Sequence, residues 1–136
     1  MPIVIDASIA AAWFLPDEEA PLADHVLRKL PHTGGVVPEL FSHEIRNILV
    51  SNERRHRIHA SDSTQFLLRL RDLQLQKDSM QNEETVMALA RRHSLTAYDA
   101  AYLETALRRG EPLATLDRAL THAGLNEKLD LVSLES

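Results

Sequence analysis

Apolar positions along the chain switch repeatedly between short unbroken runs and a spacing of three to four, the pattern of strands alternating with helices. Ile3-Val4-Ile5 is a β-branched run between Pro2 and Asp6, as expected of a strand covered on both faces. Ala7 to Leu15 follows with helical character and stops at Pro16. Leu22, Val26 and Leu30 recur every fourth residue, which predicts a helix over Asp17 to Leu30. Gly34-Gly35 opens a brief strand at Val36-Val37, and Pro38 suits the first turn of a helix running to about Arg55. A further helix is expected over Ala60 to Leu70, with Ser61 or Asp62 as its cap. The alternation in Leu73-Gln74-Leu75-Gln76 predicts a strand. Two helices then cover Asn82 to Arg92 and Thr96 to Arg109, the second ended by Gly110 and Pro112. Leu113 to Leu116 reads as a strand, Asp117 to Ala123 as a helix and Leu131-Val132 as a last strand. This order calls for an α/β fold, a three-layer α/β/α sandwich around a mostly parallel, short-stranded sheet. At 136 residues, with no repeat or linker, residues 1–136 are expected to form one domain.

Four acids interrupt the hydrophobic pattern. On a helix capped by Thr96, Asp99 falls amid Tyr102, Leu103, Ala106 and Leu107, the face a helix buries. A carboxylate leaving water needs a partner. Thr96-x-x-Asp99 also matches a capping box, which would satisfy the acid locally. Asp6 and Asp117 directly follow predicted strands, where ligands of a parallel sheet settle, and either could equally be an N-cap. Glu44 lies between Leu40 and Ile48 in the apolar stripe of its helix. It is too far from the helix start to be a cap, and Arg46, two residues on, does not face it. One shared cause accounts for all four: a divalent cation, which turns carboxylate repulsion into attraction. The chain has no cysteine and no obvious histidine set, so Mg²⁺ or Mn²⁺ suits the oxygen donors. Such a site activates water and neutralises a phosphoryl group, and phosphodiester hydrolysis is the natural chemistry. Ser8, Asn47 and Thr115 stand close enough in sequence to assist, or to serve as local caps and turns.

Composition narrows the setting. Hydrophobic residues at 44% with 26% charged describe a soluble globular protein, and no apolar run is long enough to span a bilayer. MPIVIDAS lacks a basic leader, so no signal peptide is expected, and the lack of cysteine suits the cytoplasm. A net charge of −5 argues against coating nucleic acid through a global positive field, leaving local basic groups to contact a backbone. Arg46 and the run Arg54-Arg55-His56-Arg57 are the candidates, with Arg91-Arg92 and Arg108-Arg109 better read as solvated helix ends.

Taken together, VIDAS at Val4 to Ser8, PELFSHEIRNIL at Pro38 to Leu49, LTAYDAAYLETA at Leu95 to Ala106 and LATLDRAL at Leu113 to Leu120 resemble, in order, the motifs of PIN-domain proteins, and more narrowly of VapC-type toxins of toxin–antitoxin pairs. The resemblance implies that Asp6, Glu44, Asp99 and Asp117 form an acidic, catalytic metal site, supported by Ser8, Asn47 and Thr115. It further implies a Mg²⁺- or Mn²⁺-dependent endoribonuclease, a homodimer, silenced by a VapB-type antitoxin whose C-terminal segment enters the active-site groove. An RNA substrate would be cut where it is single-stranded, because a duplex hides its base edges.

Other readings are weaker. HEIRN lacks the second histidine of a zinc-protease helix, because Asn47 stands in its place. His56 and His59 have no third ligand nearby, and a receiver-like phosphoacceptor would want paired acids after the first strand, where Asp6 stands alone. Trp13-Phe14-Leu15 is expected in the core, with an interface as the minority reading. A catalytically silent PIN-like module that binds RNA or a partner remains the alternative function; an idle carboxylate cluster disfavours it because it costs stability.

Overall fold

A computed structural model describes residues 1–16 and 20–135. Four short parallel strands make the sheet: β1 (Ile3–Ile5), β2 (Gly35–Pro38), β3 (Gln76–Asp78) and β4 (Leu113–Ala114), in the order β3-β2-β1-β4. Val4 of β1 is paired with Val36 of β2 on one side and Leu113 of β4 on the other, and all of β1 is buried. The helices are α1 (Ala7–Phe14), α2 (Pro21–Thr33), α3 (Leu40–Arg54), α4 (Ala60–Asp72), α5 (Glu83–His93), α6 (Ala97–Arg109) and α7 (Arg118–Asn126). None is long and apolar enough to cross a membrane.

The chain steps from β1 to β2 to β3 in one direction and then returns to the far side of β1 for β4. With right-handed crossovers, that reversal places α5 and α6 on the face opposite the earlier helices, which gives the three layers. It also makes the β1/β4 edge a topological switch point, where a crevice opens beyond the carboxyl ends of the strands.

Helix α6 packs across β1, β2 and β4 and carries α5 and α7 against it. Its alanines Ala100, Ala101 and Ala106 let it approach closely, so it is buried almost all round between Ala100 and Ala106 instead of along one stripe. Ion pairs fasten the outer layer. Glu127 takes a hydrogen bond from His93 Nε2 at 2.6 Å and an ion pair from Arg92 at 2.7 Å, both at the end of α5, which hold that carboxyl below its usual range. Arg108 and Arg109 of α6 hold Asp78, at the end of β3, at 2.6 and 3.0 Å.

Several predicted boundaries move. The strand expected at Leu73 to Gln76 begins only at Gln76, because Leu73 caps α4 and Gln74 takes a left-handed turn at φ 52°. The cap of α4 is His59, whose N–H donates to Asp62 Oδ2 at 2.8 Å. Helix α2 continues through Pro31 to Thr33, because a proline in the final turn removes only one intrahelical bond. The start expected for it at Asp17 lies outside the described residues. Helix α7 runs on through Gly124, where a Cβ would come within 3.0 Å of Leu131. The last predicted strand is reduced to a parallel bridge between Leu131 and Leu113.

Gly35 shows how tightly β2 is packed: an added Cβ would lie 2.6 Å from Leu75 Cδ2 and 3.0 Å from Ile5 Cδ1. Gly35→Ala is expected to cost about 1–3 kcal/mol, the usual penalty for overfilling a core, measured as a lower midpoint in urea.

Candidate active site

Asp6 stands at the carboxyl end of the central strand and is also the N-cap of α1. Its Oδ1 accepts the Ile9 N–H at 3.1 Å and the Ser8 hydroxyl at 2.7 Å, and its Oδ2 accepts the Thr115 hydroxyl from the end of β4. Ser8 Oγ in turn accepts the Leu116 N–H at 2.9 Å, so one hydroxyl network ties β1 to β4. Asp6 is 3% exposed, and burial pushes its carboxyl up to about 6 despite these three donors, with Asp99 adding like charge.

Asp117 lies three residues beyond β4, because the strand expected over Leu113 to Leu116 ends at Ala114. It caps α7 through Oδ2, which accepts the Leu120 N–H at 2.8 Å, while its own N–H donates to Thr115 Oγ1 at 2.9 Å. Asp99 enters from the first turn of α6, where the Thr96 hydroxyl accepts its N–H at 3.1 Å. It is half-buried, and its carboxyl is raised first by burial, then by the charges of Asp117 and Glu44. Glu44 projects from the second turn of α3 and accepts the Tyr102 hydroxyl of α6 at 2.5 Å. For Asp6 and Asp117 the capping and the convergent readings are compatible, because a cap uses one carboxylate oxygen and leaves lone pairs for another partner, whereas of the capping box expected at Asp99 only the bond to the Thr96 hydroxyl forms.

These acids line one cavity of about 220 Å³ together with Ala7, Ser8, Ile48 and Tyr102. Among the described residues no three acids or histidines are gathered closely enough to form a ready-made coordination shell. The donor set is nonetheless all oxygen, and the cavity has room for several waters at about 30 Å³ each. That fits a hard dication that keeps part of its hydration shell and meets carboxylates partly through water. Burial first, and like charge after it, raises the carboxyls of Asp6 and Asp99, and the like charge is what such an ion would relieve.

Other predicted site residues lie elsewhere. Ser8 and Thr115 hold Asp6 directly, whereas Asn47 is exposed and lines a neighbouring cavity with Glu44. Arg46 is exposed and places Nη2 2.9 Å from His43 Nδ1. Arg54 begins the basic run at the far end of α3, about 15 Å from Glu44 at 1.5 Å per residue. Arg55 follows as the helix cap, and Arg57 lines a separate cavity with Trp13 and Phe14. Trp13 and Phe14 are half-buried, Phe14 stacking edge-on against Phe66 at 5.2 Å. Two polar residues escaped sequence reasoning. Tyr102 reads as plain core, yet burial and Glu44 keep its phenol protonated as a donor. Glu104 carries no signal of its own in the sequence, yet it is 1% exposed and pairs with Arg108.

The PIN domain family model matches residues 3–125. The chain belongs to the PIN domain family. Ribonuclease VapC3 of Pyrobaculum aerophilum is 30% identical over 123 residues, covering 88% of this chain and 92% of that protein. The crystal structure of PAE2754, also from Pyrobaculum aerophilum, superposes with a TM-score of 0.72 at 25% identity, over 90% of this chain and 84% of that one. A toxin–antitoxin complex from Klebsiella pneumoniae (TM-score 0.60, 18% identity, 85% and 86% covered) has the same fold. So does FitAcB from Neisseria gonorrhoeae (TM-score 0.62, 14% identity, 96% of each chain). The matched PIN segment contains all four acids of the cavity.

Proposed function

We propose that this PIN-domain chain is a VapC-type toxin, an endoribonuclease that hydrolyses RNA phosphodiester bonds with Mg²⁺ or Mn²⁺ held among Asp6, Glu44, Asp99 and Asp117. The observation that carries the reading is the convergence of these residues, from four different parts of the chain, on one cavity at the switch point of the sheet. The likeness to Ribonuclease VapC3 supports RNA as the substrate class.

Within the site, each neighbour has a distinct task. Thr115 and Ser8 donate to the two oxygens of Asp6 and fix its orientation across the β1/β4 crevice. Tyr102 donates to Glu44 Oε1 and holds that side chain toward the cavity instead of letting it reach solvent. Asp117 and Asp99 keep unshared lone pairs facing the same space, and Asp99, with its raised carboxyl, is suited to accept a proton from an attacking water. A bound dication supplies a more acidic water and neutralises charge growing on the phosphoryl oxygens. The proposal extends to a cytoplasmic homodimer silenced by a VapB-type antitoxin; the likeness in fold to a toxin–antitoxin complex from Klebsiella supports an antitoxin partner.

The test compares RNA cleavage by the wild type and Asp99→Asn, with Mg²⁺ or Mn²⁺ and with EDTA. The wild type is expected to cut only with metal, and the variant to lose on the order of 100-fold or more in rate. Equal, metal-independent cutting by both would show the site to be wrong. A melting temperature that rises with ion concentration in the wild type, and less in the variant, reports occupancy separately from catalysis.

A further inference from the structure

Beside the acidic cavity lies a second one of about 300 Å³, formed by Leu40, His43, Glu44, Asn47 and Ile48 along one face of α3 and by Tyr98 from the first turn of α6. The two share Glu44 and Ile48, so the second opens directly beside the proposed phosphodiester site. We propose that it is a nucleobase-binding subsite, which stacks an unpaired RNA base on Tyr98 next to the bond to be cut; this rests on the ribonuclease reading.

Three features favour that occupant. Tyr98 is 62% exposed, whereas Tyr102, one turn further along the helix, is 1% exposed and committed to Glu44. A phenol ring at the mouth of a cleft gives a base a flat surface, and stacking on aromatic side chains is how proteins seize single-stranded RNA. The charge of the lining also selects: it carries one carboxylate and no lysine or arginine, with the Arg46 guanidinium outside it against His43, so the cleft itself favours a neutral ring over a phosphate. Finally, Leu40 and Ile48 supply apolar wall, and Asn47 has an amide with no partner among the described residues, able to donate to and accept from a base edge. Arg46 Nη2 donates to His43 Nδ1, which leaves Nε2 as the donor of that ring.

A short oligoribonucleotide carrying 2-aminopurine tests this in EDTA, where no cleavage is expected. Its fluorescence should be quenched on binding the wild type and Tyr98→Phe, but not Tyr98→Ala, and the alanine variant should bind roughly 5- to 150-fold more weakly. With Mn²⁺, kcat/KM of Tyr98→Ala should fall by a similar factor while the metal-dependent rise in melting temperature stays that of the wild type. Binding without quenching, or an alanine variant that matches the wild type in both assays, overturns the subsite and leaves the nuclease intact. Unchanged RNA binding with loss of self-association would assign the ring to a protein interface and overturns it equally. Quenching that depends on Tyr98 in a protein that cuts no RNA would keep the subsite and remove the nuclease.

Discussion

Asp6→Asn is expected to abolish metal-dependent RNA cleavage, by on the order of 100-fold or more, while leaving the metal-free protein at least as stable as the wild type at pH 8. The unusual combination follows from where Asp6 sits. Burial raises its carboxyl from 3.8 to about 6 in the folded chain, so folding favours the protonated form. Its contribution to stability is therefore fully present below the unfolded value and is lost as pH rises through about 6. Above that, ionised Asp6 costs the metal-free fold about 3 kcal/mol, since each tenfold change in proton affinity is worth about 1.4 kcal/mol. Asp99 is shifted in the same direction. Without metal, the wild-type melting temperature should decline between about pH 4 and 7, and Mg²⁺ or Mn²⁺ should restore it most strongly at the alkaline end. Asparagine keeps an acceptor for the Ile9 N–H and the Ser8 hydroxyl and removes the charge, which flattens that decline. Melting curves across pH, with and without ion, measure the whole prediction. A wild-type curve with no slope through pH 6 would contradict it.

The largest loss of stability is expected on the other side of α6, at Glu104. Its carboxylate accepts the Asn82 N–H at 3.0 Å and the Arg108 Nε at 3.0 Å, and Arg108 bridges it to Asp78. Glu104→Ala removes one member of this buried network, orphans the Asn82 N–H and leaves a void beneath α5. The cost should be about 3–5 kcal/mol, lowering the melting temperature by roughly 10–17 °C for a chain of this size. Glu104→Gln keeps an acceptor for Asn82 and should cost distinctly less. Both should still cleave RNA at low temperature, because Glu104 is no part of the acidic cavity. The same network gives an acid limb of opposite sign to Asp6. The Arg108 guanidinium, the main influence on Asp78, holds its carboxyl down at about 2, so that stabilisation is complete above the ordinary aspartate value and disappears as pH falls through about 2.

What could be read from the sequence follows the physics of each segment. Local signals were reliable where caps and breakers act within one turn: Thr96 and Gly110 bound α6, and Asn82 opens α5 through its bond to the Thr85 N–H. Asp6 and Asp117 stood out because they follow short apolar runs read as strands, although the second strand ends at Ala114, short of Asp117. The misplaced strand at Leu73 had the right alternation, but a helix end followed by a left-handed residue produces two apolar residues at the same spacing. Glu104 was invisible because the partner that explains its burial, the Asn82 N–H at the start of α5, belongs to a different element. Tyr102 was hidden likewise: its role as the donor that holds Glu44 rests on a bond between residues 58 positions apart in the chain, which no local pattern reports. Convergence of the four acids was legible as a requirement, since Glu44 had no local partner, but the cavity they share belongs to the topology.

Because β1 pairs with β4, Val4 and Ile5 wait for Leu113 and Ala114 before the crevice between them exists. A ribosome that has synthesised Asp6, Glu44 and Asp99 has still not made Thr115 or Asp117, so no nascent fragment carries the whole cavity. For a protein whose proposed target is RNA, a polypeptide that stops short of Asp117 therefore lacks one of the four acids of the cavity.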